Sequence, residues 1–78
     1  MDTLSTILKE LTHKHFTTIE TYFNEDDELI LYCENENDAV TITVISDNTF
    51  DIGVFINKIE RYSHKISSAQ VLYEIGKI

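Results

Sequence analysis

Leu4, Ile7, Leu8 and Leu11 fall at i, i+3, i+4 and i+7, the spacing that lines one face of an α-helix. The pattern predicts a helix from about Thr3 to His13, with Asp2 or Thr3 accepting backbone N–H bonds of its first turn. From Thr17 to Phe23 the period drops to two: Ile19, Thr21 and Phe23 share one side of a strand, Thr18, Glu20 and Tyr22 the other. Leu29–Cys33 reads as a second strand and Val40–Ile45 as a third, in which Val40, Ile42 and Val44 alternate with Thr41 and Thr43. Phe50, Ile52 and Val54 begin a fourth. The intervening segments are short and polar, which favours an antiparallel meander over crossover connections.

Beyond Val54 the pattern changes. Ile56, Ile59, Tyr62 and Ile66 have helical spacing, with Lys58, Glu60 and Arg61 on the other side. The expectation is a further helix around 56–66, while Val71–Ile75 suits a closing strand or the last turns of a helix. No proline, repeat or linker interrupts the 78 residues. The chain is therefore expected to be one domain, 1–78, of α+β class: an N-terminal helix on a four- to five-stranded antiparallel sheet.

A chain this short builds one small core and little room for a deep cleft. Cys33 is the sole cysteine, so no intrachain disulfide forms and a reducing compartment is the simpler assumption. The start Met-Asp-Thr-Leu lacks the basic region and apolar stretch of a signal peptide. No apolar run approaches the ~20 residues that span a bilayer, and anionic headgroups would repel the chain's charge of −8. A soluble protein with no membrane partner is expected.

That charge is unevenly placed. Between Lys14 and Lys58 stand Glu20, Glu25, Asp26, Asp27, Glu28, Glu34, Glu36, Asp38, Asp47 and Asp51, without one Lys or Arg. Because strands run between these acids, they decorate a rigid surface. Such a surface attracts cationic partners and repels nucleic acid. Its plain alternative is a solvated, solubility-promoting face.

Little else carries chemistry. His13 and His15 lie apart from His64, and the one thiol sits inside a strand, so no zinc ligand set emerges. Neither Glu25–Glu28 nor Asn35–Asp38 has the alternating ligands and central glycine of a calcium loop. There is no Gly-x-Ser-x-Gly elbow, and Gly53 and Gly76 form no phosphate-cradling loop. The expectation is a protein without catalytic residues, metal or cofactor. Glu20 is the most specific feature, a strand carboxylate directed away from Ile19 and Phe23.

The stretch Met1–Glu20 resembles the start of the phage uracil-DNA glycosylase inhibitors through Leu4-Ser5, Ile7, Thr12, Lys14 and Glu20. In that family a helix leads into a strand whose Glu-Ser-Ile segment enters the enzyme's DNA groove. Here Glu20-Thr21-Tyr22 stands in its place, with one conservative hydroxyl exchange and one bulkier residue. Val40–Asp47 resembles the family strand ending in Ser-Asp. The resemblance implies that Ile42 and Val44 help form an apolar pocket for the leucine the enzyme wedges into DNA. The family's second helix, between its first two strands, has no counterpart in Asn24–Glu28.

The resemblance and the charge together imply an acidic DNA mimic that blocks the DNA groove of host uracil-DNA glycosylase in the cytoplasm, as a monomer forming a 1:1 complex. Its contacts would be Glu20, Thr21, Tyr22, Glu25, Asp26, Asp27, Glu28, Glu34, Glu36 and Asp38. Two alternatives stand beside it. One is a DNA-mimic inhibitor of a CRISPR effector or restriction enzyme, since small acidic anti-CRISPR proteins share a helix–sheet–helix order. The other is an acidic structural or adaptor module that dimerises through a sheet edge or the 56–66 segment.

Overall fold

The computed structural model describes residues 3–78. Helix α1 (Thr3–His13) is followed by strands β1 (Thr17–Phe23), β2 (Leu29–Glu34), β3 (Ala39–Ser46), β4 (Thr49–Ile56) and β5 (Ile59–Ile66), then helix α2 (Ser68–Gly76). The strands form one antiparallel sheet in the order β1-β2-β3-β4-β5. This is the expected α+β architecture with its sheet at five strands. The cap role considered for Asp2 lies outside the described residues.

Helix α1 ends in a Schellman turn. The His15 N–H donates to the Thr12 carbonyl and the Phe16 N–H to the Leu11 carbonyl, each at 2.9 Å, with His15 left-handed at φ 68°. This position usually holds glycine, which meets no Cβ penalty there. Phe16 and Leu11, the pair that closes the motif, are both buried.

The core lies on one side of the sheet. Ile7, Leu11 and Phe16 from the α1 region and Val71 and Ile75 from α2 pack with Leu31, Cys33, Val40, Ile42, Phe50 and Ile52. The register aligns Leu31 with Ile42 and Ile42 with Ile52, and Cys33 with Val40. Three central strands therefore present one apolar surface to both helices. Ser67 caps α2 by accepting the Gln70 N–H at 3.2 Å, the satisfaction of an orphan donor that favours serine there.

The segment expected to be helical around 56–66 is instead a hairpin and a strand. Asn57 and Lys58 both take positive φ, 53° and 66°, the geometry of a two-residue type I′ turn whose twist matches its flanking strands. Ile56 pairs with Ile59 across it. The helical spacing of Ile56, Ile59, Tyr62 and Ile66 is coincidental, because the turn and a bulge near Asp51 shift the side-chain alternation. The second helix lies further on, where Val71 and Ile75 are one helical turn apart and both buried.

A second departure concerns β1, every residue of which is exposed. A β-bulge falls between Thr18 and Glu20, so Ile19 stands outside the ladder and Thr18 shares the side of Cys33. The two helices cover the central strands and leave this edge strand bare. Ile19 (56% exposed) and Phe23 (67%) thus reach solvent instead of the core.

Candidate functional site, the open face of the sheet

Among the described residues, none covers the side of the sheet away from the helices, and the register spells out its surface. One cross-strand row reads Glu34, Ala39, Phe55, Glu60 from β2 to β5. The next row reads Tyr32, Thr41, Gly53, Tyr62, and Glu20 of β1 extends it beyond Tyr32. A third row runs Tyr22, Ile30, Thr43, Asp51. In the second row large residues flank small Thr41 and Gly53, and in the first row Ala39 stands low beside Phe55. The result is a recess of about 260 Å³ lined by Tyr32, Ala39, Thr41, Gly53, Phe55, Glu60 and Tyr62.

Gly53 is required by a close approach. A Cβ there would lie 2.8 Å from Cε1 of Tyr62, so glycine lets the Tyr62 ring lean across the neighbouring strand. That ring is also parallel to His64, with centroids 6.3 Å apart. On the opposite flank the Tyr32 hydroxyl donates to Oε2 of Glu34 at 2.7 Å. This hydrogen bond, with lesser contributions from desolvation and the carboxylate charge, raises the Tyr32 pKa above its ordinary value. The charge of Glu60, then a hydrogen bond to it, raises that of Tyr62. Each flank is thus a tyrosine–glutamate pair, and both phenols stay neutral at physiological pH.

The strands of the open face carry charge of one sign. Glu20, Glu34, Asp51 and Glu60 occupy laddered positions on the open face, and no Lys or Arg does. His64 lies 3.7 Å from Asp51. Arg61 and Lys77 meet Glu74 of α2 at 3.9 and 3.4 Å, and Lys14 reaches the Gly76 carbonyl at 3.5 Å. Lys14 and Lys58 also border the turn of Glu36 and Asp38, and the Lys65 backbone N–H donates to Asp51 at 2.7 Å.

The candidate residues expected from sequence do not form one cluster. Glu20 and Tyr22 lie on the open face and Thr21, opposite Leu31, on the helix side. Glu25, Asp26, Asp27 and Glu28 form the β1–β2 turn at one end of the sheet. Asn24 organises that turn by accepting the Asp26 and Glu28 N–H groups at 2.9 Å each and donating to Oε1 of Glu28 at 2.9 Å. Glu36 and Asp38 lie in the β2–β3 turn at the other end, where Asn35 accepts the Asp38 N–H at 3.0 Å. Asp38 already has an internal task, accepting the Asn57 N–H at 3.3 Å. Glu34, at the end of β2, joins this turn to the open face.

The apolar pocket expected around Ile42 and Val44 is filled. Ile42 is fully buried beneath the helices, and half-buried Val44 packs against the same core. Their side of the sheet was assigned correctly, but α2 arrives from the C-terminus to cover it. Sequence reading missed Tyr32, Thr41, Gly53, Phe55, Glu60 and Tyr62 as a unit. Its one signal was the alternation of Glu60, Tyr62 and His64, hidden by the helical spacing of their apolar neighbours.

Among the described residues, no three His, Cys, Asp or Glu converge to hold a metal ion, and no helix is long and apolar enough to cross a membrane. No family model, curated protein or solved structure matches this chain.

Proposed function

We propose that this protein is an acidic binding module that occupies the cationic groove of a nucleic-acid-processing enzyme in place of the nucleic acid. The observation that carries the reading is the charge of the open face: four laddered carboxylates on a rigid, uncovered surface with no laddered Lys or Arg among them, and acidic turns at both ends. Carboxylates held on strands stand where phosphates would, and they bind with less loss of side-chain freedom than carboxylates on mobile loops. Exposed Ile19, Tyr22 and Phe23 on β1 supply apolar contact beside Glu20, the combination of an apolar core and a polar rim that interfaces use.

Uracil-DNA glycosylase is the first target to test, because Glu20-Thr21-Tyr22 lies exposed on an edge strand. The pocket that would receive the enzyme's leucine is closed, so the reading rests on the acidic face and β1. A CRISPR effector and a restriction endonuclease are the second and third targets. Fluorescence anisotropy of a labelled duplex bound to each enzyme, with the protein added as competitor, is the test. Displacement from at least one enzyme is expected. Unchanged uracil excision removes the glycosylase as target, and failure to displace duplex from all three overturns the reading.

A further inference from the structure

We infer that the recess between the two tyrosine–glutamate pairs receives one arginine side chain of the partner. The inference deepens the proposed function, resting on its claim that the partner is cationic, and it assigns a specific seat within the acidic face. Three observations converge on a guanidinium.

The first is size. At about 260 Å³ the recess is below the ~300–1,000 Å³ of pockets that hold drug-sized ligands, and it suits a single side chain.

The second is shape and surface. Its floor is small, Thr41 and Gly53, and its walls are the aromatic rings of Tyr32, Tyr62 and Phe55. Tyr62 is 64% exposed, so much of this ring is open to a visitor. A planar, weakly hydrated guanidinium stacks on such rings, whereas an ammonium, compact and strongly hydrated, loses more on leaving water.

The third is charge. Glu60 lines the recess beside Tyr62, and Glu34, three strand spacings or roughly 14 Å away along the same row, adds negative charge from beyond the opposite flank. Tyr32 holds Oε2 of Glu34, so Glu60 is the carboxylate that a ligand in the recess meets directly. The forked donors of an arginine match the two oxygens of one carboxylate, here Glu60, while the ammonium of a lysine is a point charge. A nucleobase, which would also stack on the tyrosines, brings phosphates that this face repels.

The test is an amide-resolved NMR titration of the ¹⁵N-labelled protein with a capped Gly-Gly-Arg-Gly-Gly peptide, and with its Lys and citrulline versions. The arginine peptide is expected to shift the Thr41, Gly53 and Tyr62 amides saturably. It should bind about 2- to 5-fold more tightly than the lysine peptide, the worth of one exposed cation–π contact. The citrulline peptide, isosteric but neutral, should leave these amides unmoved.

In the Glu60→Gln variant, arginine affinity should fall about 3-fold, as one exposed ion pair is lost. Tyr62→Leu should abolish the preference for arginine over lysine. Both variants alter exposed residues, and their spectra report directly whether the fold is kept. Equal binding of the Arg and Lys peptides overturns the inference, as do shifts confined to residues 24–28 and 35–38. Peptide binding without duplex displacement would keep the recess and remove the nucleic-acid mimic; displacement without peptide binding would do the reverse.

Discussion

Glu20 shows what a single residue contributes here. It pairs with Tyr32 across the β1–β2 ladder, on the open face and next to exposed Tyr22. Under the proposed function, Glu20→Gln keeps the shape and removes the charge, which at a desolvated contact costs ~2–5 kcal/mol of binding, mostly through faster dissociation. Folding stability should move by no more than about 0.5 kcal/mol, because the residue is exposed. Glu10→Gln, on the solvent side of α1, is the control. Inhibition constants and melting curves for the three proteins decide it, and equal inhibition by Glu20→Gln and wild type removes the assigned role. Tyr32 gives a second test. Its raised pKa means that the unfolded chain releases the phenol proton first. The stabilisation it provides is therefore complete below about pH 10 and is lost as pH rises through the folded value. Glu34→Gln should lower the Tyr32 pKa and narrow that window, seen as earlier tyrosinate absorbance on alkaline titration. An unchanged titration would separate Tyr32 from Glu34. Cys33 was legible as a strand residue, but only the fold shows it sealed by the core, 3.7 Å from Thr18 Oγ1. Burial raises its pKa, opposed by the Thr18 hydrogen bond, so disulfide reagents should label it only as fast as the protein opens.

At the scale of elements, turns decided what periodicity could not. Helix α1 was legible to its last residue because four leucine and isoleucine positions repeat without interruption and no competing pattern overlaps them. The 56–66 segment was not, because two residues at left-handed φ are invisible in a count of apolar spacings. Asn57 was the available signal, since asparagine favours positive φ in type I′ turns. Lys58 beside it is strained, and so is His15 at the end of α1. A left-handed conformation costs an ordinary L-residue roughly 1–2 kcal/mol, part of which glycine returns through its greater freedom in the unfolded chain. Lys58→Gly and His15→Gly should therefore each stabilise the fold by about 0.5–1 kcal/mol, raising Tm by about 3–6 °C. Denaturant unfolding of the two variants and their combination checks this. Both residues border surface pockets lined by Asn37 and Asp38, so the combined variant also measures any coupling between them. A loss of stability in Lys58→Gly would contradict the type I′ turn. Gly53→Ala should act oppositely, forcing Tyr62 off its neighbour strand and changing the recess.

For the whole molecule, the consequence is a field with direction. The helix side gathers Arg61, Lys77 and Lys14 near Glu74 and the end of α2, while the open face and two turns carry the excess of acid. Association with a cationic groove should then be steered, and its rate should fall steeply as ionic strength rises. Dissociation, governed by close contacts around β1 and the recess, should respond far less. Stopped-flow measurements at several salt concentrations separate the two rates. An association rate indifferent to salt would leave the acidic face with a solubilising role alone. It would favour the adaptor alternative, in which exposed edges β1 and β5 pair with other chains and sedimentation would report a dimer.

The amino-acid sequence by itself determined the α1 span, the first four strands as far as Val54 and the acid-rich middle. Each is a local property: a period of 3.6 or 2, a polar interruption, or a count of charges. The tertiary structure decided the rest, because each remaining feature depends on residues distant along the chain. Whether Ile42 and Val44 line a pocket depends on α2, which closes that side from 68–76. Whether Ile19 and Phe23 are buried depends on how far two short helices extend across five strands. The recess depends on register, since only the β2–β5 ladders bring Tyr32, Thr41, Gly53 and Tyr62 into one row, and a one-residue slip of β2 or β5 would turn its tyrosine toward the core.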